Sequence, residues 1–414
     1  MPKLLLIAPT CDGTDVGEAW VGYQWVRRLS ARHEVTLLTY HKRGSRPAAD
    51  QFPQTRVIEW AEPAGLGRAE RLNSMLKPGY VPFYFRARRW VRQALARGER
   101  FDLAHQLVPV AMRYPCPVRG LGIPYLIGPV GGSLTSPPAF AAEEGTAPWY
   151  VGLRRLDALR MRFDPALRRT YEQAGCVLGI APYVRDFLDG LPVRRFEVMS
   201  ETGITELAAP AARAGRPDGT PAAPLRLLFV GRLVRTKGAR DAIRALSLAR
   251  DVPAVLDIVG EGPDRAACAA LVTELGLSGQ VTFHGWQSRE QVAGFYRAAD
   301  VFVFPSYREP GGNVAFEAMA YGLPLIVSDI GGPGNVVDES CGIRLHPVTP
   351  EQYARDLAGA ITQLADPGLR GRLGDGARAR ASAIALWDSK IRQMETIYAE
   401  VLGGRAAPLP SQAG

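Results

Sequence analysis

The sequence predicts an α/β protein of two Rossmann-like, doubly wound lobes with an interdomain cleft. Short apolar runs alternate with amphipathic stretches along the chain, which is the pattern of repeated βαβ units. The apolar runs are rich in Val, Ile and Leu, as expected for parallel strands that helices cover on both faces. A stretch rich in Pro and Gly, residues 208–224, interrupts this pattern at the middle of the chain. We therefore expect two lobes joined by a hinge, with ligands bound beyond the carboxyl ends of the strands.

These observations divide the chain into five segments. Residues 1–205 are predicted to form the first Rossmann-like lobe, and residues 206–224 the linker. Residues 225–383 are predicted to form the second Rossmann-like lobe. A last helix is expected over residues 384–402, followed by a flexible tail over residues 403–414.

Ten apolar runs are interpreted as strands. In the first lobe they are Leu4–Ala8, Glu34–Thr39, Phe101–Ala104, Pro124–Ile127 and Cys176–Ile180. In the second lobe they are Leu225–Val230, Val255–Val259, Val281–His284, Val301–Phe304 and Leu325–Ser328.

Composition excludes several protein classes. The 414 residues are 47% hydrophobic and 22% charged, which excludes a disordered chain, a collagen-like fibre and a disulfide miniprotein. The five cysteines are scattered, without a CxxC pair, so we expect reduced thiols and no metal site. The apolar runs are too short for a membrane span, and the first one is too short for a signal peptide. A cytoplasmic protein is expected.

Positive charge is concentrated in one half of the chain. The net charge is +9, and the whole excess lies in residues 1–205. Eleven arginines lie in two predicted helices, Phe83–Arg97 and Leu153–Arg169, and the second of these is mixed with large apolar residues. No nucleic-acid-binding motif accompanies this charge, so no nucleic-acid partner is expected. The alternatives are an anionic membrane or substrate, and a solvated helix face.

The clearest motif runs from Phe304 to Gly332. A buried strand is followed by a glycine-rich turn with Glu309, and then by a helix that carries Glu317. The amino terminus of a helix attracts phosphate, and glycines let a phosphate approach the backbone closely. Glu317 lies among apolar residues, which indicates that its carboxylate has a partner. The motif therefore predicts a site for a phosphorylated ligand.

A second motif lies after the first strand of the second lobe. This strand ends at Gly231, and the following loop carries Arg232 and Lys237 before the next helix begins near Gly238. Two cations in a strand-to-helix loop are suited to a diphosphate. A solvated loop is the alternative interpretation of this motif by itself.

Together these motifs resemble the carboxyl-terminal lobe of the retaining glycosyltransferases of family 4. The resemblance rests on Gly231-Arg232 with Lys237-Gly238, on Gly260-Glu261-Gly262-Pro263, and on Glu309 through Glu317 to Pro324. The match covers residues 225–345 in motif order. The family has the two-lobed GT-B fold, whose first lobe usually holds the acceptor and whose second lobe holds a nucleotide-sugar donor.

The resemblance implies a role for each candidate residue. Arg232 and Lys237 would clamp the donor's diphosphate and stabilise the leaving nucleotide. Glu309 would hold hydroxyls of the donor sugar and is a candidate catalytic residue, while Glu317 would hold the ribose hydroxyls. Further donor-binding positions would be Gly17, Gly231, Gly311, Gly312, Asn313 and Val314.

The first lobe departs from the family pattern. A histidine that the family often has after the strand Pro124–Ile127 is missing, and a glycine loop with Gly131 and Gly132 stands in its place. Contact of these two glycines with sugar or acceptor is one expectation. His105, at the end of the preceding strand, is another candidate, and a histidine with satisfied hydrogen bonds in the core is its alternative interpretation.

The resemblance predicts a retaining transfer from a nucleotide diphosphate sugar, of UDP type, by front-face attack. No Asp-x-Asp sequence occurs, which agrees with a metal-independent enzyme without cofactors. The acceptor is expected to be anionic or membrane-borne, and the enzyme to associate with the inner face of the membrane. Two alternatives remain open: a nucleotide-sugar epimerase of the same fold, and a non-catalytic nucleotide-sugar-binding subunit.

Overall fold

The chain folds into two compact units. The computed structural model describes residues 2–15, 17–41, 46–63, 77–132, 134–144, 155–209 and 224–403. The first unit comprises Met1–Ser133, Pro148–Glu201 and Ile391–Gly414, and the second comprises Leu134–Ala147 and Thr202–Lys390. Most of the predicted linker and the predicted tail lie outside the described residues.

The first unit is built on a parallel sheet. Its strands are β1 (Lys3–Ile7), β2 (Glu34–His41), β3 (Arg56–Ala61), β4 (Leu103–Gln106), β5 (Tyr125–Val130), β6 (Cys176–Gly179) and β7 (Phe196–Val198). They lie in the order β3-β2-β1-β4-β5-β6-β7 and pair in parallel throughout. The central strands are apolar and buried because other elements cover both faces of the sheet.

The described α-helices of the first unit are α1 (Glu18–Ser30), α2 (Ala48–Gln51), α3 (Tyr80–Ala96), α4 (Arg155–Phe163) and α5 (Pro165–Glu172). One helix was expected over Leu153–Arg169, and this prediction is wrong. Asp164 interrupts it, because its carboxylate accepts hydrogen bonds from the backbone N–H groups of Ala166 and Leu167 and so caps α5. Pro165, at the first position of α5, has no N–H to continue α4.

The second unit has a six-stranded parallel sheet. Its strands are β8 (Leu225–Val230), β9 (Ala254–Val259), β10 (Val281–Gly285), β11 (Val301–Phe304), β12 (Leu325–Ser328) and β13 (Gly342–Leu345). Its helices are α6 (Ala239–Leu248), α7 (Arg265–Glu274), α8 (Arg289–Ala298), α9 (Asn313–Ala320), α10 (Gly331–Val336), α11 (Pro350–Gln363) and α12 (Pro367–Ile384). The prediction of two α/β units with parallel sheets is confirmed.

The strand order of the second sheet determines where its two sequence motifs meet. The order is β10-β9-β8-β11-β12-β13, so the chain winds outward in one direction from β8 and in the other from β11. Loops that leave neighbouring strands in opposite directions open a crevice at the carboxyl edge of the sheet. The two motifs singled out in the sequence follow β8 and β11 and therefore meet at this crevice.

The last helix, α13 (Trp387–Leu402), contributes to both units. It begins three residues later than expected. Its residues up to Lys390 belong to the second unit, and those from Ile391 onward belong to the first. No helix among the described residues is both long enough and apolar enough to cross a membrane.

Candidate functional site

Two predicted catalytic residues lie in contact at the carboxyl edge of the second sheet. The ammonium group of Lys237, after β8, pairs with the carboxylate of Glu309, after β11. Their side chains are only 18% and 15% exposed, respectively, so the pair is largely shielded from water. A charge pair of this kind, at the crevice of an open α/β sheet, can exchange partners with a charged, hydroxyl-bearing ligand.

The backbone around Lys237 is fixed by its neighbours. Residues Arg235–Lys237 form one turn of 3₁₀-helix, and Gly238 follows in the left-handed conformation (φ 81°) before α6 begins. The hydroxyl of Ser306, after β11, donates a hydrogen bond of 3.0 Å to the carbonyl of Thr236. The two loops of the crevice are therefore joined next to the lysine.

Positive charge is concentrated around this pair. Arg232 is exposed and lies in the same loop as Lys237. Burial, together with the charges of Arg232 and Arg308, lowers the pKa of Lys237 to about 8. An anionic ligand would offset the repulsion that Lys237 experiences from these two arginines, and a diphosphate supplies such charge.

The amino terminus of α9 lies directly after the Glu309 loop. Gly311 and Gly312 are buried, and Gly312 precedes the helix in the left-handed conformation (φ 80°) that glycine adopts at little cost. Among the described residues, no side chain caps the first turn of α9. The N–H groups of Asn313 and Val314 are therefore placed to bind an anion, and their contact with a donor stays a prediction.

A second glycine brings the start of α10 against this loop. Gly331 has a φ of 71°, and a Cβ atom there would lie 2.2 Å from the carbonyl oxygen of Glu309. The N–H group of Gly332 also donates to that carbonyl. Only a residue without a side chain allows this approach, so the carbonyl of Glu309 is held against the start of α10.

Glu317 lies one turn inside α9 and is not a solvated surface charge. The hydroxyl of Tyr296 donates to Oε2 of Glu317 at 3.0 Å, and the amide of Asn313 donates to Oε1 at 3.2 Å. Burial raises the pKa of Glu317, and the hydrogen bond from Tyr296 acts against this rise. Each carboxylate oxygen retains acceptor capacity, which suits the predicted binding of hydroxyl groups.

A large aromatic side chain lies exposed at the same edge of the sheet. Trp286 directly follows β10 and is 77% exposed. Strand β10 lies two strands from β8, which corresponds to about 10 Å. An exposed indole at this edge of the sheet offers a flat surface for a planar ring.

The candidate residues of the first unit are at the carboxyl ends of its strands or in the following loops. Gly17 is exposed directly before α1, with φ 66°. Gly131 is buried against Ile180, and Gly132 lies against the ring of Phe187. The roles proposed for these three glycines stay predictions.

His105 is placed in the interior of the first unit. Its side chain is fully buried, with Nδ1 2.6 Å from the hydroxyl of Tyr398 and Nε2 2.7 Å from the carbonyl of Gly128. Burial lowers its pKa to about 4. Both ring nitrogens are engaged, so this placement favours the structural interpretation over contact with sugar or acceptor.

Sequence reasoning missed Tyr296, Trp286 and Arg308. Tyr296 is a buried residue of an amphipathic helix, and nothing in its spacing indicates a contact with Glu317. Arg308 directly precedes Glu309, but its contacts come from residues 136 and 144. Only Trp286 had a signal in the sequence, because it directly follows a strand that ends in glycine and therefore lies at the carboxyl edge of the sheet.

Two family models together match most of the chain. A model described as "Glycosyl transferases group 1" matches residues 216–380. A model described as "Glycosyl transferase 4-like domain" matches residues 17–201. The two matches correspond to the second and first lobes predicted from the sequence.

Related sequences are transferases with different acceptors in their names. D-inositol 3-phosphate glycosyltransferase from Streptomyces bingchenggensis is 36% identical over 210 residues, which cover 48% of this chain and 44% of that protein. The lipopolysaccharide core biosynthesis glycosyltransferase LpsD from Rhizobium meliloti is 36% identical over 201 residues, covering 47% and 56%. The chain spans about half the length of these relatives.

Solved structures share the fold over nearly the full length. Sucrose-phosphate synthase from Thermosynechococcus elongatus has a TM-score of 0.64 and 25% identity, covering 98% of this chain and 100% of that one. The Anabaena protein HepE, solved in complex with UDP, has a TM-score of 0.64 and 17% identity, covering 98% and 100%. The second comparison bears on the fold alone.

Proposed function

This chain belongs to the glycosyltransferases of family 4, and we propose that it transfers a sugar from a nucleoside diphosphate sugar to an acceptor with retention of configuration. The observation that carries the proposal is the Lys237–Glu309 pair beside the amino terminus of α9. Cations for a diphosphate and a carboxylate for sugar hydroxyls lie together at one crevice. UDP is the nucleotide we expect, since it is bound in the similar HepE structure.

The proposed mechanism assigns the leaving group to the cations. As the bond between sugar and diphosphate breaks, negative charge develops on the phosphate, and Arg232 and Lys237 stabilise it. Glu309 accepts hydrogen bonds from sugar hydroxyls once the diphosphate has drawn Lys237 away from it. The acceptor attacks from the face that the diphosphate leaves, and the leaving phosphate takes the acceptor's proton.

The nucleoside is proposed to lie along the same edge of the sheet. Glu317, held by Tyr296 and Asn313, accepts hydrogen bonds from the ribose hydroxyls. Trp286 offers its exposed indole as a stacking surface for the base. The proposal thus places the base near the end of the outer strand β10, the ribose at Glu317 in α9, and the reacting groups at the central crevice between β8 and β11.

The acceptor is proposed to be anionic or membrane-borne and presented to the first unit. On α3 the exposed residues Val81, Phe85, Arg89 and Arg92 lie on one helix face, since they are separated by three or four positions. On α4, Leu159 and Phe163 are 56% and 65% exposed. Apolar side chains beside arginines suit the interface of an anionic membrane, and we propose action at its cytoplasmic face.

Several arginines that were predicted to face such a partner instead bind other residues of the first unit. Arg88 donates to the carbonyls of Pro117 and Arg119, Arg160 pairs with Asp164, and Arg168 pairs with Glu172. Arg154 lies outside the described residues. The membrane proposal therefore rests on Arg89, Arg92 and the exposed apolar side chains more than on the number of arginines.

A panel of nucleotide sugars tests the proposed function. The protein is incubated with UDP-, GDP- and ADP-sugars, with and without acceptors, and release of the nucleoside diphosphate is followed. We expect release that depends on an acceptor, and a product whose anomeric configuration, measured by NMR, equals that of the donor. Epimerised donor without transfer indicates the epimerase, and binding without turnover indicates a non-catalytic subunit.

A further inference from the structure

Residues 134–144, which we call the inserted segment, lie in the sequence between two parts of the first unit but belong to the second. Most of the segment is a 3₁₀-helix, Pro138–Glu143. The sequence assigned these residues to the first lobe, and the difference has a physical reason. Phe140 is fully buried in the core of the second unit. Its ring centroid lies 4.3 Å from that of Tyr307 and 6.1 Å from that of Tyr353.

Glu143, at the end of the inserted segment, binds Arg235, which lies two residues before Lys237. The carboxylate of Glu143 accepts a hydrogen bond of 2.8 Å from Nε of Arg235. The two Nη atoms of Arg235 donate to the fully buried carboxylate of Asp241, at 2.5 and 2.9 Å. Two carboxylates therefore occupy two edges of one guanidinium group, whose side chain is 4% exposed. This arrangement fixes the direction of Arg235.

Arg235, Arg244, Asp241 and Glu143 form a cluster of ion pairs, and its charge balance depends on Glu143. Arg244 also pairs with Glu143, at 3.1 Å, and lies 3.5 Å from Asp241. Two arginines thus share two acids. Without the charge of Glu143, both arginines would depend on Asp241 alone, and one positive charge would remain uncompensated in a largely buried place. We expect Arg235 to shift in that case.

The inserted segment also contacts the loop after β11. Arg308 donates to the hydroxyl of Ser136 at 3.1 Å and pairs with the carboxylate of Glu144 at 3.1 Å. Arg308 directly precedes Glu309. The segment therefore holds one arginine in each of the two loops that carry the Lys237–Glu309 pair.

From these contacts we propose that Glu143 is a positioning residue for the diphosphate clamp, an inference that rests on the proposed function. Arg235 and Lys237 belong to one 3₁₀ turn, in which residues two apart point in different directions. By holding Arg235, Glu143 fixes the turn that presents Lys237 to the phosphates. Ser136 and Glu144 do the same for the backbone of Glu309 through Arg308.

Glu143→Gln tests the proposal, because it removes the charge with little change in shape. Affinities for UDP and for uridine are measured by calorimetry and NMR on the full chain. We expect the dissociation constant for UDP to rise about fivefold, since Arg235, which fixes the turn of Lys237, loses its hydrogen bond to a charged carboxylate. The affinity for uridine stays unchanged, because the nucleoside does not reach Lys237. Turnover of the donor falls together with UDP affinity.

Asp338→Asn is the matched control. Asp338 pairs with Arg380 in the same unit, and neither residue belongs to the loops that carry Lys237 and Glu309. We expect this variant to lose stability without a change in UDP affinity.

If Glu143→Gln does not fold, Arg235→Lys is the second variant, because it keeps the positive charge but cannot pair with Glu143 and Asp241 at once. We expect the same loss of UDP affinity without a change in uridine affinity, and unchanged UDP affinity would overturn the positioning role.

The outcomes separate the two claims. Wild-type protein that binds none of UDP, ADP or GDP contradicts the proposed function and this inference with it. Wild-type protein that binds UDP while Glu143→Gln binds it equally well overturns the positioning role and leaves the function intact. Equal losses of UDP and uridine affinity would show general damage to the unit and would also overturn the positioning role.

Discussion

The hydroxyl of Tyr296, in α8, donates a hydrogen bond to the carboxylate of Glu317, in α9, across 3.0 Å. Tyr296 is buried, and its ring stacks on that of Tyr321 with the centroids 5.2 Å apart. A donor held this firmly orients the carboxylate and stabilises its charged form, because the hydrogen bond lowers the pKa that burial raises. Tyr296, for which the sequence indicated no role, thus orients Glu317, the predicted ribose-binding residue.

Replacement of Tyr296 by Phe should make nucleoside binding sensitive to acid. Without the hydroxyl, the pKa of Glu317 rises further, so the carboxylate is protonated at a higher pH and loses acceptor capacity. UDP affinity, measured between about pH 5 and pH 8, should fall toward acid at a higher pH in the variant than in the wild type. Tyr398→Phe, which removes another buried tyrosine hydroxyl from its partner, should lower stability without this shift.

The two glutamates of the Glu309–Glu317 motif should separate binding from turnover. Glu317→Gln should weaken UDP binding, because a carboxylate is a stronger acceptor for ribose hydroxyls than an amide. Glu309→Gln should not weaken UDP binding, since Glu309 contacts Lys237 rather than the nucleotide and its loss frees the lysine. Turnover should fall in this variant. Calorimetry and steady-state kinetics on both proteins check this, and equal loss of UDP affinity in both would reject the assignment.

Arg232→Ala and Lys237→Ala should each reduce UDP affinity about tenfold or more, because each removes a charged hydrogen bond to phosphate. In the wild type, UDP affinity should also fall as the pH rises through about 8, since Lys237 loses its proton in that range. Lys237→Ala should lack this fall. A pH series of binding measurements on the three proteins distinguishes the clamp from a general effect of charge.

Divalent metal should be dispensable for transfer. The cations of the clamp supply the charge that a metal ion would otherwise bring to the diphosphate. Among the described residues, no group of three or more His, Cys, Asp or Glu side chains could hold a metal ion. Activity measured after treatment with EDTA should therefore remain. Complete loss that added manganese restores would contradict the mechanism.

The exposed apolar residues of the first unit should mediate binding to anionic membranes. Liposomes with anionic lipid should sediment the wild-type protein at low salt and release it at high salt, because salt screens the attraction of Arg89 and Arg92. Phe85→Ser with Phe163→Ser should abolish sedimentation without loss of UDP binding. Val348→Ser, at an exposed apolar residue of the second unit, is the control and should behave as the wild type. If the wild-type protein does not sediment with anionic liposomes, the result favours a small soluble acceptor.

The sequence predicted the interior strands of both sheets and missed most of their edges. The three strands that it did not indicate, β3, β7 and β13, are all outer strands. An outer strand is covered less than an inner one, so its residues need not form an apolar run. In β3 the central residues are only half-buried, and the sequence RVIEWA mixes charged and apolar residues.

The site was predictable where its chemistry follows a strand directly. Lys237 and Glu309 each come shortly after an apolar run, and parallel strands bring such positions to one edge. Glu143 and Tyr296 were not predictable, because their contacts depend on packing between elements distant in sequence. Phe140 could be assigned to its unit only from its partners Tyr307 and Tyr353.

The path of α13 has a consequence for synthesis of the chain on the ribosome. Strand β4 emerges early, but the hydroxyl that engages His105 belongs to Tyr398, which is made 293 residues later. The aromatic anchor Phe140 likewise precedes the whole sheet in which it is buried. Although domains generally fold in the order of synthesis, the nascent first unit must keep a gap in its core until α13 has been synthesised. During that interval we expect chaperones to bind it.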